Sequence, residues 1–356
     1  MRIVVNDFAA STGGATSILV SFYDYLVSSG DCNEWYFLLS DKYIEETENI
    51  HVVLLDKEKK SRIRRLLFDY VYGRRLISKL KPDAVFYLQN TFIHGVHVPQ
   101  IAYMDQPIPF QTVCNFSFFD LEQRPYAIYQ HIIGYLVKNA CKAADLIIVQ
   151  TEWMREAIVE QCRISVSKIK KIPPDIYGVC NKEKGSFDNH KFFYPASLTY
   201  YKNHGCIVQA IECINKTKKL DIQVDFTIET NEKMNFPYDE INCIGNISHS
   251  EVMDRYSTET LIFPSYIETY GLPLAEARLS GGMILTADTP FAHEILEGYV
   301  NAYYFDPFQP EQLAELIEDV YYGRIVKSDV SHEIETACKN SGWKEVVKCI
   351  QDAIPS

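Results

Sequence analysis

Two glutamates, Glu268 and Glu276, stand eight positions apart in the part of the sequence best suited to chemistry. Their segment follows an apolar run that closes at Phe263, and ligand-binding loops in α/β proteins follow the carboxyl ends of strands. Gly271 and Pro273 lie between the two glutamates, and proline is favoured at the first helical position. Glu268 is therefore predicted in a loop and Glu276 in the first turn of a helix, where they can address different parts of one ligand.

The backbone between the glutamates is suited to phosphate. The amides of Gly271 and Leu272 are predicted to open a helix N-terminus, which attracts anions through unpaired N–H groups and the helix dipole. Together with the two carboxylates, these amides indicate a ligand that contains a sugar, a diphosphate and a ribose. The pattern alone leaves a plainer alternative open: Glu276 could interact only with the helix dipole, and Glu268 could be a solvated loop residue.

The elements that must position this segment follow a repeating order of short apolar runs and helical patterns. Such alternation predicts an α/β fold with two doubly wound Rossmann-like domains, and a ligand site in the cleft between them. A charged segment after Pro173-Pro174 marks the boundary. The predicted parts are residues 1–174, a linker at 175–190, a second domain at 191–338 and a C-terminal helix within 339–356.

The amino-acid composition argues against several classes of function. The chain has 356 residues, 47% of them hydrophobic and 23% charged, which is typical of a folded globular protein. A net charge of −12 argues against nucleic-acid binding. Ten cysteines without a Cys-x-x-Cys pair, no apolar leader at the N-terminus and no long apolar stretch predict a cytoplasmic protein without a membrane span. No Asp-x-Asp motif follows a strand of the first domain and no His/Cys cluster has metal spacing, so no metal or cofactor is expected.

Residues 57–81, called the basic segment below, depart from this acidic average. They contain ten basic and two acidic residues, a local charge of +8 that leaves −20 for the remainder. A basic amphipathic helix of this kind can lie on an anionic membrane, where each basic residue contributes about 1 kcal/mol. The alternative is a helix packed on the core with a solvated basic face. The apolar positions at helical spacing are Ile63, Leu66, Leu67, Tyr70, Ile77 and Leu80.

The sequence from Ser265 to Gly282, with its two glutamates and the Tyr270-Gly271-Leu272-Pro273 run, resembles the signature of glycosyltransferase family 4, a group of retaining enzymes with the GT-B fold. The resemblance extends over nearly the whole chain. Its further matches are Gly13-Gly14 for the N-terminal glycine loop, Lys202-Asn203 for the phosphate-binding lysine, Gly245 for the base-side loop, and Glu294 and Asp306-Pro307 for the tail motifs.

The resemblance implies a role for each matched residue. Glu268 would hold the hydroxyls of the donor sugar, Glu276 would bind the ribose, and Lys202 would neutralise the diphosphate. The implied donor site also includes Gly13, Gly14, Ser197, Asn203, Gly245, Tyr270, Gly271 and Leu272. The first domain would bind the acceptor, the second the nucleotide sugar, and the C-terminal helix would cross back to the first domain.

The implied activity is transfer of a hexose from a nucleotide-diphosphate donor, with UDP favoured, to a hydroxyl of a lipid-linked saccharide. The anomeric configuration would be retained, and bacterial polysaccharide or glycan assembly is the expected setting. Because family members glycosylate lipid-linked acceptors at the cytoplasmic leaflet, the basic segment is expected to hold the protein on the inner face of the cell membrane.

Two positions depart from the family pattern. Ser197 stands where an arginine is usual, so one of two cationic phosphate contacts is missing or supplied from elsewhere. Asp105 stands where a histidine is common, and a carboxyl group can donate a hydrogen bond only if its pKa is raised. Asp105 is kept as a catalytic candidate, whereas the nearby His94 and His97 are expected to be structural. Two alternatives stay open: a nucleotide-sugar epimerase-like enzyme, and a non-catalytic GT-B partner protein, although the presence of both Glu268 and Glu276 argues against the latter.

Overall fold

The computed structural model describes residues 1–8, 14–55, 62–176, 185–229, 236–330 and 342–355. The chain forms two compact units. One consists of Met1–Asp175 together with Ser341–Ser356, and the other of Ile176–Asn340. Each unit is built around its own parallel β-sheet, so the predicted class of two doubly wound Rossmann-like α/β units is confirmed.

The first unit contains a seven-stranded parallel sheet in the order β3-β2-β1-β4-β5-β6-β7. Its strands are β1 (Arg2–Asn6), β2 (Glu34–Leu39), β3 (Ile50–Leu54), β4 (Ala84–Tyr87), β5 (Gln100–Tyr103), β6 (Leu146–Val149) and β7 (Ile169–Lys171). Its helices are α1 (Gly14–Ser29), α2 (Arg62–Leu67), α3 (Gly73–Leu80), α4 (Arg124–Ala127), α5 (Gly134–Ala143), α6 (Glu152–Cys162) and, at the end of the chain, α12 (Gly342–Asp352).

The strands of this sheet are apolar on both faces because helices cover both. In β1, Val4 faces one core cluster, and Ile3 and Val5 face the other. The first cluster includes residues of α3, α5 and α6, and the second includes residues of α1 and α12. Alternate side chains of one strand thus enter opposite cores, as the pleat of a strand requires.

Helix α12 packs on the first unit through Trp343. The indole N–H of Trp343 donates to the hydroxyl of Ser21 at 2.8 Å, and the ring lies 4.9 Å from that of Phe22. The carboxylate of Asp175 accepts the backbone N–H groups of Gly342 and Trp343 at 2.7 and 3.2 Å. These are the first amides of the helix, which have no partner within it, so Asp175 caps α12.

The described part of the basic segment is not the single amphipathic α-helix that its spacing predicts; residues 56–61 lie outside the described residues. A π-helical turn, Phe68–Tyr72, separates α2 from α3. The wider turn shifts the helical register, so Phe68 and Ile77 enter the core. Leu66, Leu67 and Tyr70 remain 44 to 47% exposed.

The second unit contains a six-stranded parallel sheet in the order β10-β9-β8-β11-β12-β13. Its strands are β8 (Lys191–Tyr194), β9 (Gln223–Phe226), β10 (Ile241–Cys243), β11 (Thr260–Phe263), β12 (Met283–Ala287) and β13 (Ala302–Phe305). Its helices are α7 (His204–Thr217), α8 (His249–Thr258), α9 (Leu272–Leu279), α10 (Pro290–Ile295) and α11 (Pro310–Tyr321).

The direction in which strands are added reverses once in each sheet. In the first unit the reversal lies between β1 and β4, and in the second between β8 and β11. Loops that leave neighbouring strands at such a switch point diverge to opposite faces and open a crevice, where ligands of doubly wound proteins bind. The residues after β8 and β11 are therefore the first place to look for a site.

Candidate active site

Lys202 and Glu268 meet at the switch point of the second unit. Lys202 ends the 3₁₀ turn Tyr200–Lys202 that follows β8, and Glu268 lies in the loop after β11. The Lys202 ammonium group forms an ion pair with Glu268 Oε1, and the two side chains are 19% and 15% exposed. Two residues 66 positions apart in sequence thus place a cation and an anion in one partly buried site that solvent still reaches.

Ser265 orients Glu268. Its side chain is fully buried, and its hydroxyl donates to Glu268 Oε1 at 2.7 Å. The loop itself is attached to the turn that carries the lysine, because the backbone N–H of Tyr266 donates to the carbonyl of Tyr201 at 3.2 Å. Sequence reasoning did not single out Ser265 as a partner of Glu268, although it lies only three positions before it.

Asn203 joins the loops around Lys202. Its φ of +57° is left-handed, a conformation that asparagine tolerates better than most residues, and it turns the chain into α7. Its side-chain amide donates to the carbonyl of Pro307 at 2.9 Å and lies 3.4 Å from that of Pro264. The hydroxyl of Tyr194 donates to the carbonyl of Lys202 at 2.9 Å. Asn203 and Tyr194 therefore fix the backbone that carries the lysine.

Helix α9 starts beside Glu268. Gly271 is its N-cap with a φ of +87°, a value that strains any residue with a Cβ, and Pro273 occupies the first turn. Leu272 is partly exposed next to them. Burial and the nearby carboxylate of Glu294 raise the pKa of Tyr270 to about 12, which keeps its hydroxyl protonated. The loop therefore offers a free helix N-terminus and a neutral phenol.

Both carboxylate oxygens of Glu276 are engaged. His249 Nε2 lies 3.0 Å from Oε1, and the hydroxyl of the fully buried Tyr256 donates to Oε2 at 3.1 Å. His249 and Tyr256 belong to α8, whose start is fixed by the Ser248 hydroxyl accepting the backbone N–H of Glu251 at 3.2 Å. Sequence reasoning missed both partners. The Ser-x-x-Glu capping pattern could have placed His249 in a first helical turn, but not beside Glu276.

The remaining donor-site candidates of the second unit also follow strands. Ser197 is exposed after β8. Gly245 follows β10 with a φ of +75°, and its N–H donates to the carbonyl of Ile228 at 3.1 Å. Beneath Lys202, the buried ring of His204 lies 4.8 Å from that of Tyr194. Burial and the charge of Lys202 lower the pKa of His204 to about 4, so this imidazole is neutral at physiological pH.

Asp105 lies in the first unit, after β5. Asn90, which follows β4, donates its side-chain N–H to Asp105 Oδ1 at 2.9 Å. Burial raises the pKa of Asp105 to about 6, and the hydrogen bond from Asn90 opposes that rise. His94, expected to be structural, stacks on Tyr70 with ring centres 4.1 Å apart. Gly13 lies outside the described residues, and Gly14 begins α1.

Buried amides line the switch point of the first unit. Asn6 ends β1 and is fully buried, and within the described residues its side-chain oxygen and nitrogen have no hydrogen-bond partner. Gln89 follows β4, is 4% exposed, and its Oε1 is likewise unpartnered there. An unsatisfied buried amide costs roughly 1–3 kcal/mol. These atoms are suited to hydrogen bonds with a polar ligand.

Among the residues that the structure describes, no group of three or more His, Cys, Asp or Glu side chains is arranged to hold a metal ion. None of the helices within these residues combines the length and the apolar character needed to cross a membrane.

Comparisons with known proteins agree with this fold. The family model described as glycosyl transferases group 1 matches residues 181–333, which include Lys202, Glu268 and Glu276. No curated protein matches the sequence significantly. Many solved structures share the fold.

Three of these solved structures show the range of TM-score and coverage. A glycosyltransferase from Rickettsia africae ESF-5 is 14% identical with a TM-score of 0.69, covering 100% of this chain and 99% of that one. Anabaena Alr3699/HepE in complex with UDP-glucose is 13% identical with a TM-score of 0.66, covering 99% and 98%. TarM is 13% identical with a TM-score of 0.58; the match covers 80% of this chain but only 57% of TarM.

Residues 181–333 thus match a glycosyl transferases group 1 domain, and the two parallel α/β units have the fold of GT-B glycosyltransferase structures.

Proposed function

We propose that the protein is a retaining glycosyltransferase that moves a hexose from UDP to a hydroxyl of a lipid-linked saccharide, in bacterial polysaccharide or glycan assembly. The observation that carries the proposal is the Lys202–Glu268 ion pair at the switch point, beside the N-terminus of α9. It brings a cation for phosphate and an anion for sugar hydroxyls into contact. The UDP-glucose complex of Alr3699/HepE, which shares this fold, supports the choice of donor class.

Binding of the nucleotide sugar would separate Lys202 from Glu268. The diphosphate is the stronger anion and competes with Glu268 for the ammonium group of Lys202. The amides at Gly271 and Leu272 and the dipole of α9 would assist on the same phosphates. Once released, Glu268 keeps its hydrogen bond from Ser265 and can accept hydroxyl protons of the sugar. When the glycosidic bond breaks, negative charge grows on the diphosphate, and Lys202 stabilises it without a metal ion.

Glu276 would bind the ribose. In the structure, Oε2 accepts a hydrogen bond from the hydroxyl of Tyr256, and Oε1 lies within hydrogen-bond distance of His249 Nε2. A carboxylate oxygen has room for a second donor, so both ribose hydroxyls can still be accepted. The role of the two α8 residues is to fix the plane of the carboxylate before the nucleotide arrives.

The first unit would bind the acceptor. The unpartnered side-chain amide of Asn6 lies at the end of β1, and the unpartnered Oε1 of Gln89 lies just after β4. Asn90 and Asp105 follow β4 and β5 at the same edge of the sheet. A saccharide hydroxyl can donate to the amide oxygens and accept from an amide nitrogen. Protonated Asp105 would supply the neutral hydrogen-bond donor that the family's histidine provides.

Sugar transfer by the wild type is expected to accelerate as pH falls from 7 to 5. With a pKa of about 6, Asp105 is protonated in roughly one molecule in ten at pH 7 and nine in ten at pH 5. The kcat at saturating donor should therefore rise several-fold, and Asp105→Asn, which is neutral throughout, should remove this rise. Glu156→Gln, at an exposed carboxylate of the same unit, is the control. Parallel pH profiles for wild type and Asp105→Asn would exclude the donor role.

The basic segment would hold the protein on an anionic membrane surface at the inner face of the cell membrane. Leu66, Leu67 and Val71 are 44 to 51% exposed, and Arg74 and Arg75 beside them are exposed as well. We expect the protein to pellet with phosphatidylglycerol vesicles at low salt and to be released at high salt, because ions screen the attraction between lysine or arginine and lipid phosphate. Vesicle binding that is independent of both salt concentration and lipid charge would contradict this role.

The reaction is tested by incubating the protein with UDP-glucose radiolabelled in the sugar and a bacterial lipid extract. Transfer of label into the organic phase, with the anomeric configuration of the product read by NMR, is the expected result. Conversion to a different UDP-sugar without any acceptor would favour an epimerase-like enzyme instead. Labelled lipid of inverted configuration would contradict the retaining mechanism.

A further inference from the structure

A loop of the first unit, residues 117–124, presents apolar side chains to solvent. Phe119 is 94% exposed and Leu121 is 76% exposed, the highest values among the large hydrophobic residues described. Single exposed apolar residues are common on protein surfaces, but two with most of their surface in water within three positions are not needed for packing. The loop is called the anchor loop below.

Hydrogen bonds hold the anchor loop in shape. The carboxylate of Asp120 accepts the backbone N–H of Glu122 at 2.8 Å and the side-chain amide of Gln123 at 3.1 Å, through different oxygens. The guanidinium group of Arg124 donates to the carbonyl of Phe118 at 2.9 Å. Asp120 is therefore engaged inside the loop, and Phe119 is displayed by a fixed backbone rather than by a loose end.

Further exposed apolar residues follow the loop in sequence. Ile132 and Tyr135, in the helical stretch that follows, are 58% and 67% exposed. This stretch packs on the sheet through Val137 of α5, in the same core cluster as Phe68 of the basic segment. The two segments thus pack on the same face of the sheet, and each carries exposed apolar side chains.

We infer that Phe119 and Leu121 insert into the acyl region of an anionic bilayer while the basic segment contacts the headgroups, so that one face of the first unit docks on the membrane. This inference rests on the membrane association proposed above. The positive charge of the basic segment favours an anionic membrane over a second copy of the chain as the partner of this face. A two-fold contact with a second copy would bring two basic segments towards each other, whereas lipid phosphates are complementary to them.

Tryptophan placed in the loop tests the insertion. Phe119→Trp should show a blue-shifted emission with phosphatidylglycerol vesicles at low salt and quenching by lipids brominated in the acyl chain. Val326→Trp, at a position 69% exposed in the second unit, is the matched control and should show neither effect. Phe119→Ser should reduce the vesicle partition coefficient about tenfold, because a phenyl ring no longer leaves water. Val326→Ser should leave it unchanged, and both serine variants should keep the wild-type melting temperature.

The outcomes separate this inference from the proposed function. Pelleting of Phe119→Trp without a spectral shift or quenching would overturn the anchor and leave membrane association standing. Failure of every variant to pellet would overturn both, while label transfer to lipid would still test the enzyme activity. If light scattering shows that Phe119→Ser dissociates an oligomer while vesicle binding is unchanged, the loop is a contact between copies and the anchor is wrong.

Discussion

Replacement of Lys202 by methionine is expected to lower kcat about 10²–10³-fold, the usual cost of removing one group that stabilises developing charge. The lysine is the cation that touches Glu268 at the switch point, and the charge it would meet in the transition state is that of the departing diphosphate. Glu268→Gln is expected to lower kcat by a similar factor. The glutamine keeps the shape and the contact with Ser265 but loses the charge.

Controls separate catalysis from folding and from bulk charge. Lys219→Met removes an exposed lysine of the same unit and should retain wild-type kcat. Circular dichroism should show that the Lys202 and Glu268 variants are folded. Near wild-type turnover in either of them would exclude the assignment of the ion pair to the donor site.

Removal of Asp225 is expected to destabilise the second unit by about 2 kcal/mol, because it removes a buried carboxylate that accepts a hydrogen bond from a guanidinium group. Asp225 lies in β9 and is 3% exposed. It accepts Arg255 at 2.8 Å, Gln223 at 2.8 Å and Asn242 at 3.3 Å. Since Arg255 belongs to α8, the same network supports the helix that carries His249 and Tyr256 to Glu276.

Glu251→Ala is the matched control for Asp225→Ala. Glu251 also pairs with Arg255, at 3.9 Å, but is 50% exposed, and exposed pairs contribute less than about 1 kcal/mol. Urea unfolding followed by circular dichroism should therefore show a large loss for Asp225→Ala and a small one for Glu251→Ala. Equal losses would mean that burial does not determine the strength of this network.

The sequence predicts the sheets well because their strands are short apolar runs between turn signals. The apolar run that closes at Phe263, for example, forms strand β11. The local structure of the basic segment is predicted less well from the sequence. A helical period of 3.6 residues cannot anticipate a π-helical turn, so the sequence did not reveal which apolar residues face the core.

The candidate site was likewise predicted only in part. The motif that contains Glu268 and Glu276 marks the right loop and helix, but their partners depend on tertiary structure. His249 and Tyr256 are 27 and 20 residues from Glu276, and only the packing of α8 beside α9 brings them together. The raised pKa of Asp105 likewise follows from burial, which a single sequence does not show. The catalytic and binding roles themselves stay predictions.

The central claim is that the Lys202–Glu268 site binds a nucleotide sugar. A thermal-shift and mass-spectrometric screen of wild type and Lys202→Met against UDP-, GDP-, CMP- and dTDP-sugars, with no acceptor present, tests it most directly. The account predicts that a UDP-hexose selectively stabilises the wild type, with slow release of free UDP, and that Lys202→Met loses both effects. If no nucleotide sugar stabilises the wild type, the account is contradicted, and a non-catalytic role for the fold becomes the better explanation.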